Sequence, residues 1–124
     1  MFFDAGGCAL GALQVTALED QILGLGLGST RVTIQRLAEE SDAFVVVHGG
    51  LGTLTELALV WNMLLAGELP AKPLMVMGAE WPRVIDVVRA ETQMGASALR
   101  LLTLVETPEA AVERLPALLA VIDR

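Results

Sequence analysis

VVVHGGLGTLTE, residues 45–56, joins a β-branched apolar run to a glycine-containing turn and then to a helix that carries a carboxylate near its start. Extended backward to AFVVV (43–47), the run shows no polar alternation, the pattern of a strand buried on both faces of a parallel sheet. In such a sheet the ligand crevice lies beyond the carboxyl ends of the strands, and residues 48–53 occupy one of those ends. Gly49, Gly50 and Gly52 let the backbone turn sharply and present consecutive N–H groups, with Leu51 between them. Thr53 can cap the following helix or offer its hydroxyl to an oxyanion, so the stretch predicts an anion nest at the positive end of a helix dipole. Glu56 lies three residues beyond Thr53, on nearly the same helix face. The spacing leaves two readings of it open: the second half of a T-x-x-E capping box, or a catalytic carboxylate turned toward whatever the loop holds.

Outward from this stretch the punctuation is regular. TRVTIQRLAEES (30–41) spaces its apolar residues at helical intervals. TLTELALVWNMLLAGE lines Leu54, Leu57, Ala58, Trp61, Leu64 and Leu65 on one stripe, with Gly67 near its end. PLMVMG (73–78) is a second buried strand, and WPRVIDVVRAETQM a helix with Pro82 near its first turn. LRLLTLVE (99–106) reads as a third strand. The final helix has Thr107 as N-cap and Pro108 at its first position, and Pro116 should kink or split it. Strand and helix alternate from residue 43 onward, which predicts an α/β fold of right-handed βαβ units. Residues 1–29 form a separate Gly-rich segment: residues 9–23 fit a helix, and GLGLGS fits a flexible connection.

At 124 residues, with 54% hydrophobic and 19% charged side chains, the chain has the size and composition of one domain with a proper core. The net charge of -7, with no Lys/Arg cluster, opposes binding to nucleic acid or to an anionic membrane, but a small phosphate ester held by backbone N–H groups remains compatible with it. Cys8 is the single cysteine and His48 the single histidine, which excludes an intrachain disulfide and multi-Cys or multi-His metal sites. Cys8 has no basic neighbour to activate it. No metal is expected. No basic leader and no apolar run of about 20 residues is present, and the expected location is the cytoplasm. Glu39, Glu40 and Asp42 read as a solvated helix end. Met63, Met75, Met77 and Met94 read as packing, and Trp61 as core by its place in the stripe, although Trp61 and Trp81 are both aromatic enough to stack on a base.

HGGLGTLTE resembles the PGGxGTxxE motif of the LONELY GUY family, cytokinin riboside 5'-monophosphate phosphoribohydrolases once labelled lysine decarboxylases. The preceding SDAF, the helix after the motif and the KP-then-strand that follows resemble the family as well, so the likeness covers residues 30–124. It implies a Rossmann-like parallel sheet flanked by helices. It also implies a homodimer or higher oligomer that cleaves the N-glycosidic bond of an AMP-like nucleotide to free base and ribose 5-phosphate, without a cofactor. Gly49, Gly50, Leu51, Gly52 and Thr53 would hold the 5'-phosphate, and Glu56 would act at the ribose, stabilising oxocarbenium character.

The sequence departs from the family at three places. The family's arginine, commonly in an Arg-Lys pair, falls here on Thr33 and Ile34; Arg31 and Arg36 are accessory candidates displaced from that register by two and three residues. His48 stands where the motif has proline, either bonded to nearby backbone or contacting phosphate when protonated. The family's N-terminal βαβ portion has no clear counterpart, so the fold is expected to be shortened at its N-terminus, as a minimal form or a truncated reading frame. The leading reading is nucleotide binding with N-glycosidic cleavage. A noncatalytic nucleotide-binding or carrier module is the alternative, and an oligomeric scaffold with a vestigial loop is a third.

Overall fold

A computed structural model of the chain describes residues 2–3 and 30–122, with backbone alone for residues 2–3 and 30–33. The readings placed on residues 4–29, including Cys8, the helix over 9–23 and the GLGLGS connection, lie outside the described residues. In chain order the elements are β1 (Phe2–Phe3), α1 (Thr30–Glu40), β2 (Ala43–Val46), α2 (Leu51–Ala66), β3 (Leu74–Met77), α3 (Trp81–Glu91), α4 (Ala96–Leu99), β4 (Leu102–Val105) and α5 (Pro108–Ile122).

The sheet order is β1-β2-β3-β4. β2, β3 and β4 are parallel, in the register Phe44 opposite Leu74 opposite Leu102, while β1 is a two-residue antiparallel addition on the outer edge of β2. The fold is therefore α/β with a parallel sheet flanked by helices. The unbroken apolar runs have the expected cause, because the alternate faces of β2 and β3 both meet helices. Phe44, Val46, Leu74 and Val76 pack with Ile34, Leu57, Trp61, Trp81 and Ile85 from α1, α2 and α3. Val45, Met75 and Val105 pack on the other face with Ala111 and Leu115 of α5.

α2 buries Leu57, Val60, Trp61 and Met63. At about 1.5–3 kcal/mol for each large side chain removed from water, this outweighs the roughly 1 kcal/mol that Gly52 costs in helix propensity. The helix ends as expected at Gly67, which adopts the left-handed conformation (φ 75°) and lets the Glu68 N–H reach the Met63 carbonyl at 2.9 Å. The expected stripe is only partly core, since Leu54 and Leu65 are 42% and 47% exposed while the unlisted Val60 and Met63 are buried. The C-terminal end of α1 is closed by Lys72, whose Nζ donates to the carbonyls of Ala38 (2.7 Å) and Glu39 (3.2 Å). Desolvation lowers the Lys72 pKa, against the opposing pull of Asp42 and Glu39.

Two expectations are corrected. The strand placed over 99–106 begins only at Leu102, because Ala96–Leu99 closes a short helical turn and the buried Trp61 Nε1 donates to the Ala98 carbonyl at 2.8 Å. Pro116 does not split the last helix. Both Pro116 and Val112, whose carbonyl a proline at that position leaves unbonded, are on the exposed side of α5, where water can take the bond. The methionines behave as packing: Met63 and Met75 are buried, and Met77 and Met94 lie against the two core clusters.

Candidate functional site

β2 delivers the chain to residues 47–50 at its carboxyl end, and α2 starts at Leu51 with Gly50 as N-cap. The first hydrogen bond of the helix runs from the Leu54 N–H to the Gly50 carbonyl at 3.1 Å. That geometry leaves the N–H groups of Leu51, Gly52 and Thr53 ahead of the intrahelical ladder, and among the described residues no side chain caps them. The expected Thr53–Glu56 capping box is thereby corrected. Thr53 is the third residue inside the helix, three positions past the Gly50 N-cap, so it cannot serve as the cap.

The glycines earn their place differently from the expectation as well. Among the described residues only Gly67 and Gly78 have positive φ, so the loop is not a left-handed nest; its donors are those of a bare helix end. Gly49 is required by close approach: a Cβ on it would overlap Thr53 Oγ1 and stand 2.8 Å from the Thr53 Cβ. Around Gly50 and Gly52 a Cβ would meet nothing within 4 Å, so the loop presents bare backbone to open space there.

The space beside Gly50 belongs to a cavity of about 390 Å³, within the ordinary range for small-molecule sites. Its walls are His48, Gly49, Gly50 and Leu51 from the loop, Leu54 from α2, and Glu80, Trp81 and Val84 from the start of α3. A larger apolar groove of about 460 Å³ adjoins it between α2, α3 and α4, sharing Leu54 and Val84. Glu56 is half-buried on α2 and lines neither space.

His48 was expected to bond backbone or phosphate. Its Nδ1 stands 3.0 Å from Glu80 Oε1, a side-chain partner in place of the backbone one, with the histidine side chain 85% exposed and the glutamate 32%. The Glu80 carboxylate is folded back over Gly78, where a Cβ would come within 2.6 Å of its oxygens, and Gly78 has φ 135°. Its own backbone N–H and then the His48 hydrogen bond hold the Glu80 carboxyl below the usual carboxylate range.

Of the accessory arginines, Arg36 is exposed and paired with Glu40 at 3.3 Å along α1, and Arg31 sits in the first turn of that helix with its side chain undescribed. Ile34, one of the two positions where the resemblance places the Arg-Lys pair, is 3% exposed in the core. Glu39 hydrogen-bonds Gln35, and no group of three or more metal-ligating side chains occurs among the described residues. Sequence reasoning missed Glu80 as a cavity residue. The available signal was topological: Glu80 and Trp81 follow β3 just as the loop follows β2, so both sit at carboxyl ends of adjacent parallel strands.

The family model described as "Possible lysine decarboxylase", the older label of the LONELY GUY family, matches residues 15–115. The chain belongs to this family. A protein of Oryza sativa subsp. japonica named "Probable cytokinin riboside 5'-monophosphate phosphoribohydrolase" is 30% identical over 125 residues, covering 93% of this chain and 50% of that protein. A second rice protein of the same name is 31% identical over 122 residues, covering 90% and 50%. The chain thus spans about half the length of the curated relatives it matches. The LONELY GUY match extends into the Gly-rich segment, ahead of the motif neighbourhood where the resemblance is visible by eye. Among the described residues no helix is long and apolar enough to cross a membrane.

Proposed function

We propose that the chain binds a nucleoside 5'-monophosphate at the HGGLGT loop and cleaves its N-glycosidic bond to free base and ribose 5-phosphate. The observation that carries this reading is the start of α2, uncapped among the described residues, where Leu51 and the bare backbone of Gly49 and Gly50 line a nucleoside-sized cavity. The names of the rice relatives support the same reaction class. In this account Gly49, Gly50, Leu51, Gly52 and Thr53 hold the phosphate, and Glu56 acts at the ribose, where departure of the base builds positive charge. The test is incubation of the purified chain with AMP and an assay for free adenine. Stoichiometric adenine and ribose 5-phosphate are expected, and absence of both at high enzyme concentration would remove the catalytic claim.

One observation favours a second reading, a noncatalytic nucleotide-binding module. Ile34 fills one of the family's Arg-Lys positions with a core side chain. That reading predicts AMP binding by calorimetry without adenine release. The exposed Leu54, Leu65 and Val84 of the larger groove are consistent with the homo-oligomer that the family resemblance implies.

A further inference from the structure

The cavity beside the loop has no Lys or Arg among the described residues that line it, and it carries the carboxylate of Glu80. The helix end alone can hold a phosphate monoester, close to a dianion at neutral pH, but a positive charge beside it offsets the Glu80 carboxylate and strengthens binding. Among the described residues that line the cavity, His48 is the one whose side chain can supply it, and imidazole is the side chain whose charge changes in the neutral range.

The geometry fixes how it would do so. Glu80 is the anchored partner: it is the less exposed of the two, it is set at the start of α3, and its carboxylate is seated on Gly78. His48 is the reachable partner, adjacent in sequence to Gly49 and Gly50 and sharing their cavity. With Nδ1 committed to Glu80 at 3.0 Å, the ring nitrogen left for a ligand is Nε2, which carries a proton to donate when the ring is charged. The same cavity is walled by Trp81, which is 6% exposed and whose buried Nε1 has no hydrogen-bond partner among the described residues.

We propose that His48, oriented by Glu80, is a pH-switched cation of this site that binds the phosphate of a phosphate monoester through Nε2. The inference rests on the reading of the loop as a phosphate site and adds to it a residue that the motif fills with proline. Among the described residues the charged groups that meet this pair are at the start of α3: Glu80, hydrogen-bonded to His48, and Arg83, whose charge acts on Glu80. With His48 neutral the cavity presents the uncompensated carboxylate of Glu80; with His48 charged the pair is neutral and the helix end prevails. Phosphate affinity therefore falls as pH rises and the imidazolium gives up its proton.

Calorimetry with AMP and with adenosine between about pH 6.5 and pH 8.5, where the phosphate is mostly dianionic, tests this on the intact chain, His48→Gln and Glu80→Gln. The intact chain is expected to lose roughly tenfold in AMP affinity across that range, about 1.4 kcal/mol. His48→Gln should bind weakly and without that dependence, and adenosine should show none in either protein. Glu80→Gln, which keeps a hydrogen-bond acceptor but not the charge, should move the fall to lower pH. Identical pH profiles for the intact chain and His48→Gln would overturn the proposal and leave the phosphate reading standing. AMP bound no better than adenosine at any pH would overturn both.

Discussion

Replacing Gly49 by Ala is expected to lower both the stability of the chain and its affinity for AMP, whereas Gly52→Ala should separate the two. The Gly49 Cα lies so close to Thr53 that a methyl group there overlaps Oγ1, and Thr53 is β-branched within a helix, with little rotamer freedom to yield. Overpacking of this kind costs about 1–3 kcal/mol. The loop must shift to relieve it, which misdirects the N–H groups of Leu51, Gly52 and Thr53. Loss of one or two hydrogen bonds to a charged group, at about 1.5–3 kcal/mol each, corresponds to an affinity loss of roughly tenfold to ten-thousandfold. Gly52 lies inside α2 with open space around it, so Ala there should gain about 0.5–1 kcal/mol in helix stability while its methyl takes volume from the ligand. Urea unfolding and AMP calorimetry on both variants give the comparison. Equal stability of Gly49→Ala and the parent would show that the Thr53 contact is not confining, and unimpaired AMP binding by Gly52→Ala would place the ligand elsewhere.

The second large effect is expected at Glu56. Glutamine has nearly the same shape and removes only the charge, so Glu56→Gln should leave AMP binding close to that of the parent and slow adenine release by about 10²–10³-fold, some 3–4 kcal/mol of transition-state stabilisation. The split between unchanged affinity and lost turnover is the informative part. A fall in binding with turnover unaffected at saturation would assign Glu56 to holding the substrate instead. Adenine release unchanged in Glu56→Gln would remove it from the chemistry.

The parts of the fold legible in the sequence are those where one physical cause dominates. AFVVV and PLMVMG could only be strands covered on both faces, and the stripe with its terminal glycine could only be α2. The errors fall where local signals compete. LRLLTLVE is apolar enough for a strand throughout, but the hydrogen bond from Trp61 to Ala98 belongs to tertiary packing and holds the first of these residues in a helical turn. Pro116 breaks a helix only when the freed carbonyl has no other partner, and solvent supplies one. β1 is two residues long and has no period to detect.

At the site, the loop and its glycines were visible, but the reason for Gly49 was not. Its constraint comes from a side chain in the next helix rather than from its own φ, and sequence spacing carries no distances. Thr53 and Glu56 match a capping box by spacing alone, and the helix starts too early for them to form one. The His48–Glu80 pair joins residues 32 positions apart, which only the parallel register of β2 and β3 brings together.

The account stands on the phosphate lying at the start of α2, and titration of ¹⁵N-labelled protein with AMP followed by amide resonances tests that directly. The amides of Gly49, Gly50, Leu51, Gly52 and Thr53 should show the largest shifts, saturating together, with inorganic phosphate reproducing the effect at those amides at higher concentration. Unmoved loop amides at saturating AMP, or shifts confined to another part of the chain, would contradict it.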